Sequence, residues 1–137
     1  MKVFVDTGAW LAIEMDKDVS HKVAKEYWRE LRKQKARLFT NDYVLAETIT
    51  RLIYDVHLSA ANDFWKKVRV GREVNLQLIE IGPKERDQAW EVLEKYRDHK
   101  LSFTDATIVA NFKTHGLDEV FTFDKHFKEA NIPTNEF

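Results

Sequence analysis

The sequence has no cysteine and little proline or glycine. None of its 137 residues is Cys, two are Pro and four are Gly. The lack of thiols excludes disulfides and thiolate metal sites, and it is typical of a reducing cytoplasm. No apolar run approaches the roughly 20 residues that a membrane helix needs. Because a strand-like apolar run already starts at Val3, no signal peptide is expected. We therefore expect a cytoplasmic protein with no membrane segment.

An excess of positive charge is also missing. The 22 Lys and Arg residues are offset by 23 Asp and Glu residues, so the formal net charge is −1. A protein that grips nucleic acid through phosphate contacts alone is usually basic. A polyanion could therefore be bound only by local basic patches around an acidic site, or through a cation.

Length and composition predict one folded domain over residues 1–137. With 44% hydrophobic and 12% aromatic residues, the composition is that of an ordinary globular protein. At this length a single core would bury roughly two-thirds of the unfolded surface. The sequence shows no repeat, low-complexity segment or linker, so no domain boundary is predicted.

The first apolar segment, Val3–Val5, is followed directly by Asp6. A short run that is apolar on both faces is typical of a central strand in a parallel sheet. Ligands of open α/β sheets bind beyond the carboxyl ends of the strands, so Asp6 lies where a functional site is expected. For one Asp alone, a turn residue that accepts backbone N–H groups would be the preferred explanation.

Apolar segments follow one another in the order β-α-α-β-α-α-β-α-α-β-α. Strands this far apart do not pair as hairpins, so parallel pairing with right-handed crossovers follows. The predicted fold class is α/β, a three-layer α/β/α sandwich around a mostly parallel sheet of four or five strands. The predicted strands are Val3–Val5, Leu38–Thr40, Leu76–Ile81 and Glu119–Phe123, with a small edge strand at Ile132 as the fifth. The predicted helices cover about residues 9–13, 19–35, 42–56, 59–72, 83–96, 105–115 and 125–130.

Four acidic residues occupy equivalent positions in this alternation. Asp6 and Asp124 each follow an apolar strand. Glu47 lies in the opening turns of the helix after the second strand, and Asp105 lies in the first turn of its own helix. Because strands end and helices begin at the same rim of such a sheet, all four are expected to gather there.

Three of these acids also have a purely structural explanation. Asp105 could form a capping box with Ser102, and Asp124 could cap the last helix and interact with its dipole. Glu47 lies about 200° round its helix from Leu45, off the apolar stripe, so periodicity predicts that it is exposed.

Together the four carboxylates point to a cation. Since no cationic partner is fixed beside them by the sequence, they would repel one another, and at least one should have a raised pKa. A hard divalent cation removes the repulsion, and Mg²⁺ typically takes one or two carboxylates with waters and a substrate phosphate. Such a site suits phosphodiester hydrolysis. The neighbouring Thr7, Thr104 and Thr122 could orient a water or a carboxylate, although helix capping is the commoner use.

Four segments carry a resemblance to a known family: Val3–Thr7, Leu45–Thr48, Leu101–Ala106 and Phe121–Phe127. In order and spacing they resemble the motifs of the PIN-domain family, and most closely its VapC-type toxin branch, over essentially the whole chain. The resemblance puts Asp6, Glu47, Asp105 and Asp124 on the acidic tetrad of that family and Thr122 on its frequent hydroxyl position. It implies an endoribonuclease that depends on Mg²⁺ or Mn²⁺, usually a homodimer inhibited by a small antitoxin.

We therefore predict a metal-dependent endoribonuclease that is the toxin of a toxin–antitoxin pair. Asp6, Asp105 and Asp124 would hold the cation directly or through water. Glu47 would complete the shell or act as base on the attacking water, since the resemblance places it in the site where periodicity does not. In-line attack would leave a 5′-phosphate and a 3′-hydroxyl, as the resemblance also implies.

Three alternatives remain open. A receiver-like signalling domain would carry adjacent acids after its first strand, but Asp6 is followed by Thr7 and Gly8. A phosphatase with an aspartyl nucleophile would need Asp-x-Asp there, and position 8 is Gly. The third alternative is a non-catalytic PIN module that serves only as a binding partner.

The remaining polar clusters are expected to be mostly solvated helix faces. This applies to the basic stretch Arg29–Arg37 and to the cluster of Lys66, Lys67, Arg69 and Arg72. Three lysines beside the fourth strand are better placed to meet RNA: Lys113, Lys125 and Lys128. The five His residues show no metal-ligand spacing, although His126 is close enough to Asp124 to touch a substrate.

Overall fold

Four strands and seven helices alternate in the predicted order within residues 1–70 and 75–137, which are the residues that the computed structural model describes. The strands are β1 (Lys2–Val5), β2 (Arg37–Asn41), β3 (Leu76–Ile79) and β4 (Glu119–Phe121). The helices are α1 (Thr7–Glu14), α2 (His21–Lys33), α3 (Asp42–Asp55), α4 (Leu58–Val70), α5 (Pro83–Lys95), α6 (Phe103–Thr114) and α7 (His126–Glu129). The predicted end of the fourth helix at Arg72 lies outside the described residues.

The sheet is parallel and its strand order is β3-β2-β1-β4, which confirms the predicted α/β class. The chain runs from β1 to β2 to β3 in one direction and then returns past them to β4. Right-handed crossovers therefore place α1–α4 on one face of the sheet and α5 and α6 on the other. The predicted fifth strand at Ile132 is reduced to a single parallel bridge between Thr134 and Val120.

The central position of β1 matches its sequence. Val3, Phe4 and Val5 are fully buried, and β1 pairs with β2 on one side and β4 on the other. An apolar run with no polar face is stable only where both faces of a strand are covered. Asp6 follows Val5 directly, so it lies at the carboxyl end of this buried central strand.

One face of the sheet packs on an aromatic group centred on Trp10 of α1. The Trp10 indole N–H donates to the Thr40 hydroxyl at 3.4 Å. Its ring contacts Trp28 of α2 and Phe64 of α4, with centroids 5.4 and 5.2 Å apart. Tilted and edge-on aromatic pairs of this kind stabilise a core beyond the area they bury. Helices from three parts of the chain are thus joined over β2.

The other face of β2 meets α6, because successive side chains of a strand point to opposite faces. The buried Asn41 amide donates to the Thr107 hydroxyl at 3.1 Å and to Asn111 Oδ1 at 2.9 Å. Asn41 Oδ1 also accepts from the Val44 N–H at 2.9 Å and so caps α3. One side chain therefore ties the start of α3, which carries Glu47, to α6, which carries Asp105.

Two strands are shorter than predicted, and side chains explain why. The Ile81 N–H donates to Asp42 Oδ1 at 3.0 Å instead of extending the ladder of β3. The Thr122 N–H donates to Asn135 Oδ1 at 2.6 Å, which ends β4 at Phe121. Elsewhere α2 begins at His21 rather than at the fully exposed Val19. Within residues 1–70 and 75–137, no helix combines the length and apolar character needed to cross a membrane.

Candidate active site

A pocket of about 500 Å³ lies at the carboxyl ends of β1 and β4. The chain leaves β1 towards β2, whereas β4 flanks β1 on the opposite side. Divergence of connections at this point of a parallel sheet creates the crevice in which ligands of such folds bind. All four predicted acids line the pocket: Asp6, Glu47, Asp105 and Asp124. The structure thus brings together residues that are separated by more than a hundred positions in the chain.

Asp6 is the most deeply placed of the four, with 7% of its surface exposed. It caps α1, where its Oδ1 accepts the Thr7 N–H at 2.7 Å. Its Oδ2 accepts the Thr122 hydroxyl at 2.8 Å. Burial raises the pKa of Asp6 to about 7, and the negative charges of Asp105 and Asp124 add to the rise, while the two hydrogen bonds oppose it.

Asp105 takes part in the predicted capping box and also faces the pocket. The Ser102 hydroxyl accepts the Asp105 N–H at 3.0 Å, and Asp105 Oδ2 accepts the Ser102 N–H at 3.0 Å. A carboxylate has about four lone-pair sites, so the cap does not exhaust its capacity. Burial raises the pKa of Asp105 and the Asp124 charge adds to it, against the bonds to Ser102. Asp105 can therefore cap α6 and still present carboxylate lone pairs to the pocket.

Asp124 lies in the turn between β4 and α7, where it contacts His126. Its Oδ1 accepts the His126 N–H at 2.8 Å and lies 3.1 Å from His126 Nδ1. Potential ligand atoms of Asp105, Asp124 and His126 all lie within 4.8 Å of one another. This cluster includes Asp105 and Asp124 but not Asp6, the third predicted metal ligand, and it adds an imidazole that the His spacing in the sequence did not indicate. The only sequence signal for His126 was its position two residues after Asp124.

Glu47 is exposed, as periodicity predicts, yet it lines the pocket, as the family resemblance implies. It lies on the second turn of α3, two residues after the buried Leu45. Exposure and a place in the pocket wall are compatible because the pocket is open to solvent.

The three predicted threonines differ in their roles. Thr7 lines the pocket and is 7% exposed, and its hydroxyl has no hydrogen-bond partner among the described residues. Thr104 also lines the pocket. Thr122 lies behind the acids rather than in the lining, where its hydroxyl donates to Asp6 and accepts the Asp124 N–H at 2.9 Å. An orphaned buried hydroxyl such as that of Thr7 is costly unless a water or ligand satisfies it.

Two cations line the pocket, and neither was predicted. They are Arg51 of α3 and Lys100 of the loop before α6. Arg51 pairs with Asp55 at 3.0 Å. Across residues 1–70 and 75–137, no Lys or Arg forms an ion pair with any of the four acids. None of the three lysines predicted beside the fourth strand, Lys113, Lys125 and Lys128, is among the residues that line this pocket, and the Lys113 ammonium lies over the Tyr96 ring.

The donor set fits a divalent cation. Carboxylate oxygens converge in a partly buried crevice, the pKa values of Asp6 and Asp105 are raised there, and no lysine or arginine among the described residues is paired with the four acids. Oxygen ligands suit Mg²⁺ and Mn²⁺, whereas imidazole is a ligand for several transition metals. The arrangement is that of an acidic cluster able to hold a metal ion.

A family model named PIN domain matches residues 3–133. The chain belongs to the PIN-domain family. Its sequence is 30% identical over 134 residues to the 23S rRNA-specific endonuclease VapC20 of Mycobacterium tuberculosis, with 95% of each chain covered. The crystal structure of VapC20, described as a Sarcin-Ricin loop cleaving toxin, superposes with a TM-score of 0.82 at 29% identity over 95% of both chains. This PIN domain is therefore related to the VapC toxins.

Two more distant structures share the PIN fold. FitAcB from Neisseria gonorrhoeae matches with a TM-score of 0.73 at 13% identity, covering 98% of this chain and 96% of the other. VapBC2 from Rickettsia felis, bound to a DNA fragment from its promoter, matches with a TM-score of 0.73 at 15% identity, covering 100% and 99%. At these identities the likeness concerns the fold alone.

Proposed function

We propose that this PIN-domain protein is a metal-dependent endoribonuclease and the toxin of a toxin–antitoxin pair. The observation that carries the proposal is the meeting of Asp6, Glu47, Asp105 and Asp124 at one pocket. Within the described residues these acids have no Lys or Arg ion-pair partner, and the pKa of Asp6 is raised to about 7. The 30% identity to an rRNA endonuclease over 95% of the chain supports RNA as the substrate class.

We assign Asp6, Asp105 and Asp124 to the cation, directly or through water, with Mg²⁺ or Mn²⁺ as the ion. His126 is a further donor, in the cluster that it forms with Asp105 and Asp124. When bound there, the ion would polarise a phosphoryl oxygen and lower the pKa of a bound water.

The chain's own residues supply orientation and proton transfer. Glu47, exposed at the pocket wall, either completes the ion's shell or accepts a proton from the water that attacks phosphorus. Attack forms the new phosphorus–oxygen bond and breaks the bond to the 3′ oxygen, which takes up a proton from solvent, so a 5′-phosphate and a 3′-hydroxyl are produced. Thr122 holds the Asp6 carboxylate in place through its hydroxyl, and the free Thr7 hydroxyl can donate to a water or a phosphate oxygen.

Arg51 and Lys100 give the acidic pocket its contacts to the RNA backbone. Both are exposed and both line the pocket beside the acids. A protein with a formal net charge of −1 attracts a polyanion only through such local cations and through the metal. We expect each to contribute to the affinity for RNA rather than to the chemical step.

The partners follow from the same family relationship. We propose a small antitoxin protein that inhibits the nuclease, a homodimer as the assembly, and the cytoplasm as the location. Residues 1–137 are proposed to fold as one domain. VapC20, to which this chain is 30% identical, is described as a toxin, which supports the search for an antitoxin that inhibits this chain.

The test is cleavage of RNA by the purified chain with Mg²⁺ or Mn²⁺. The first substrates are 23S rRNA and a hairpin of its sarcin–ricin loop, because these are named for VapC20. We expect new 5′-phosphate ends that are absent in EDTA and absent with Asp6→Asn. The exposed Asp63 on α4 provides the matched control, and Asp63→Asn should cleave as the wild type does. Failure on every RNA and cation would favour the non-catalytic binding module instead.

A further inference from the structure

Phe123 is an aromatic residue in the wall of an otherwise polar pocket. It stands between Thr122 and Asp124 in the chain, lines the pocket with the acids, and is 37% exposed. Nothing in metal binding or hydrolysis requires a phenyl ring at that position. Phe121, two residues earlier, is the last residue of β4 and is fully buried. Phe123 lies beyond the end of the strand, where its exposed side contributes to the pocket wall.

The Phe123 ring packs against two other aromatic side chains, Phe121 and Phe137, and Phe137 is 56% exposed. Phe137 stacks on Phe123 with the ring centroids 5.3 Å apart and the planes inclined by 23°. Phe121 lies 6.2 Å from Phe123 at 57°. Tyr27 meets both Phe121 and Phe137 edge-on, at 4.9 and 5.3 Å, and its hydroxyl donates to the Glu119 carboxylate. A ring packed in this way loses little conformational freedom when a flat ligand stacks against it.

We propose that Phe123 is a stacking platform for one unpaired RNA base beside the phosphate that is cleaved. This inference rests on the proposed ribonuclease function and names the form of RNA that the pocket takes. Single-stranded and looped RNA is bound by stacking splayed-out bases on aromatic side chains. Because Asp124 follows Phe123 directly in the chain, a base on the ring and a phosphate at the acids belong to the same or adjacent nucleotides. A base inside a continuous duplex stack is not accessible in this way.

Other exposed aromatic residues lack this combination of features. Trp90 on α5 is 59% exposed but does not line the pocket with the acids. Trp65 lies with apolar neighbours in a separate depression between α3 and α4. Trp90 therefore provides a matched control, since its loss removes an exposed aromatic without touching the pocket.

The experiment measures binding of single-stranded 12-nucleotide RNAs to the chain with Glu47→Gln, which is expected to block cleavage while Asp6, Asp105 and Asp124 stay in place. One RNA is intact, and each of the others carries an abasic site at one position. Stacking on an aromatic residue is worth about 1–3 kcal/mol per base, so Phe123→Leu should weaken binding by roughly 5- to 150-fold. Phe123→Tyr and Phe123→Trp should retain most of the affinity, and Trp90→Leu should have no effect. Melting temperatures show that each variant is folded.

The abasic RNAs test the contact itself. One abasic position should weaken binding to the Phe123 protein as much as Phe123→Leu does, and should cost nothing further in the Phe123→Leu protein. With a cleaved RNA, Phe123→Leu should raise KM and leave kcat nearly unchanged. Two results would overturn the platform while leaving the nuclease in place. One is that the loss from every abasic site adds to the loss from Phe123→Leu, and the other is that Phe123→Leu leaves the affinity unchanged. Absence of cleavage by the wild type on all RNAs would instead overturn the proposed function.

Discussion

The Thr122 hydroxyl joins Asp6 to Asp124. It donates to Asp6 Oδ2 at 2.8 Å and accepts the Asp124 N–H at 2.9 Å. Asp6 follows β1, and Asp124 follows the adjacent strand β4. One hydroxyl therefore sets the separation of two acids that come from opposite ends of the chain, and both hydrogen bonds are made by a residue that is 4% exposed.

The first prediction is that Thr122→Val lowers kcat/KM by at least about tenfold and also lowers the melting temperature. Hydrogen bonds to charged groups contribute about 1.5–3 kcal/mol, and valine keeps the volume of threonine while removing the hydroxyl. Since the Thr122 bond lowers the pKa of Asp6, the acidic limb of the pH–rate profile should move to higher pH. Thr122→Ser should restore both properties. An unchanged profile in Thr122→Val would show that the hydroxyl does not act on Asp6.

The second prediction concerns the pH dependence of stability without metal. Unfolding frees Asp6 from burial, so its pKa falls from about 7 in the folded chain to about 3.8 in the unfolded one. The folded state then holds more protons between these pH values, and the free energy of unfolding falls as the pH rises through them. Below this window, where Asp6 is protonated in both states, the destabilisation is absent. Above about pH 7 the buried Asp6 charge exerts its full destabilisation, at most on the order of 4 kcal/mol.

Asp6→Asn tests this directly, because an uncharged amide can accept the Thr7 N–H through its oxygen and donate to the Thr122 hydroxyl through its nitrogen. In EDTA, Asp6→Asn should melt at a higher temperature than the wild type at pH 8, and the difference should vanish near pH 4. Asp63→Asn should follow the wild type at both pH values. A lower melting temperature of Asp6→Asn at pH 8 would mean that the carboxylate stabilises the fold.

The third prediction separates the two roles of Asp105. Asp105→Asn keeps an oxygen that can accept the Ser102 N–H, so stability without metal should be unchanged or slightly raised while cleavage is lost. Asp105→Ala removes the capping bond and should cost about 0.5–1.5 kcal/mol of unfolding free energy as well. The free energy of unfolding of each variant is measured by chemical denaturation in EDTA. A clear loss of metal-free stability in Asp105→Asn would mean that the charged carboxylate is chiefly a cap.

The fourth prediction is that Glu47→Gln leaves stability within about 0.5 kcal/mol of the wild type, since exposed side chains away from structural contacts have small effects. If Glu47 is the base, kcat should fall by about 10²- to 10⁴-fold. Metal affinity should then remain near that of the wild type. A weakened metal affinity with a similar loss of rate would instead make Glu47 a ligand of the ion. The affinity is measured by calorimetric titration of Mn²⁺.

The sequence predicts those features that depend on local pattern. The buried run Val3–Val5 indicates a central strand, and the spacing of Ser102 and Asp105 indicates the capping box that the structure shows. The parallel order of the strands follows from their separation in the chain. Strand ends do not follow in this way, because the ends of β3 and β4 depend on Asp42 and Asn135, which lie elsewhere in the chain.

The composition of the candidate site likewise depends on contacts between distant parts of the chain. Local pattern places Asp6 and Asp124 at strand ends, but Arg51, Lys100 and His126 reach the pocket only through the packing of their helices and loops. Glu47 shows the ambiguity most clearly, since helical periodicity identifies an exposed residue and cannot distinguish bulk solvent from an open pocket. The exposure of Phe123 within an apolar strand-end segment is likewise visible only in three dimensions.

Metal binding by the four acids is tested most directly by a calorimetric titration of Mn²⁺ into the metal-free chain at pH 7.5, paired with melting curves. We expect saturable binding by the wild type and by Asp63→Asn, with a stabilisation of about 2.7 kcal/mol at a free Mn²⁺ concentration one hundred times the Kd. Asp6→Asn and Asp124→Asn should bind weakly or not at all. No saturable binding by the wild type, or equal binding by Asp6→Asn, would contradict the claim that these acids gather to hold a divalent cation.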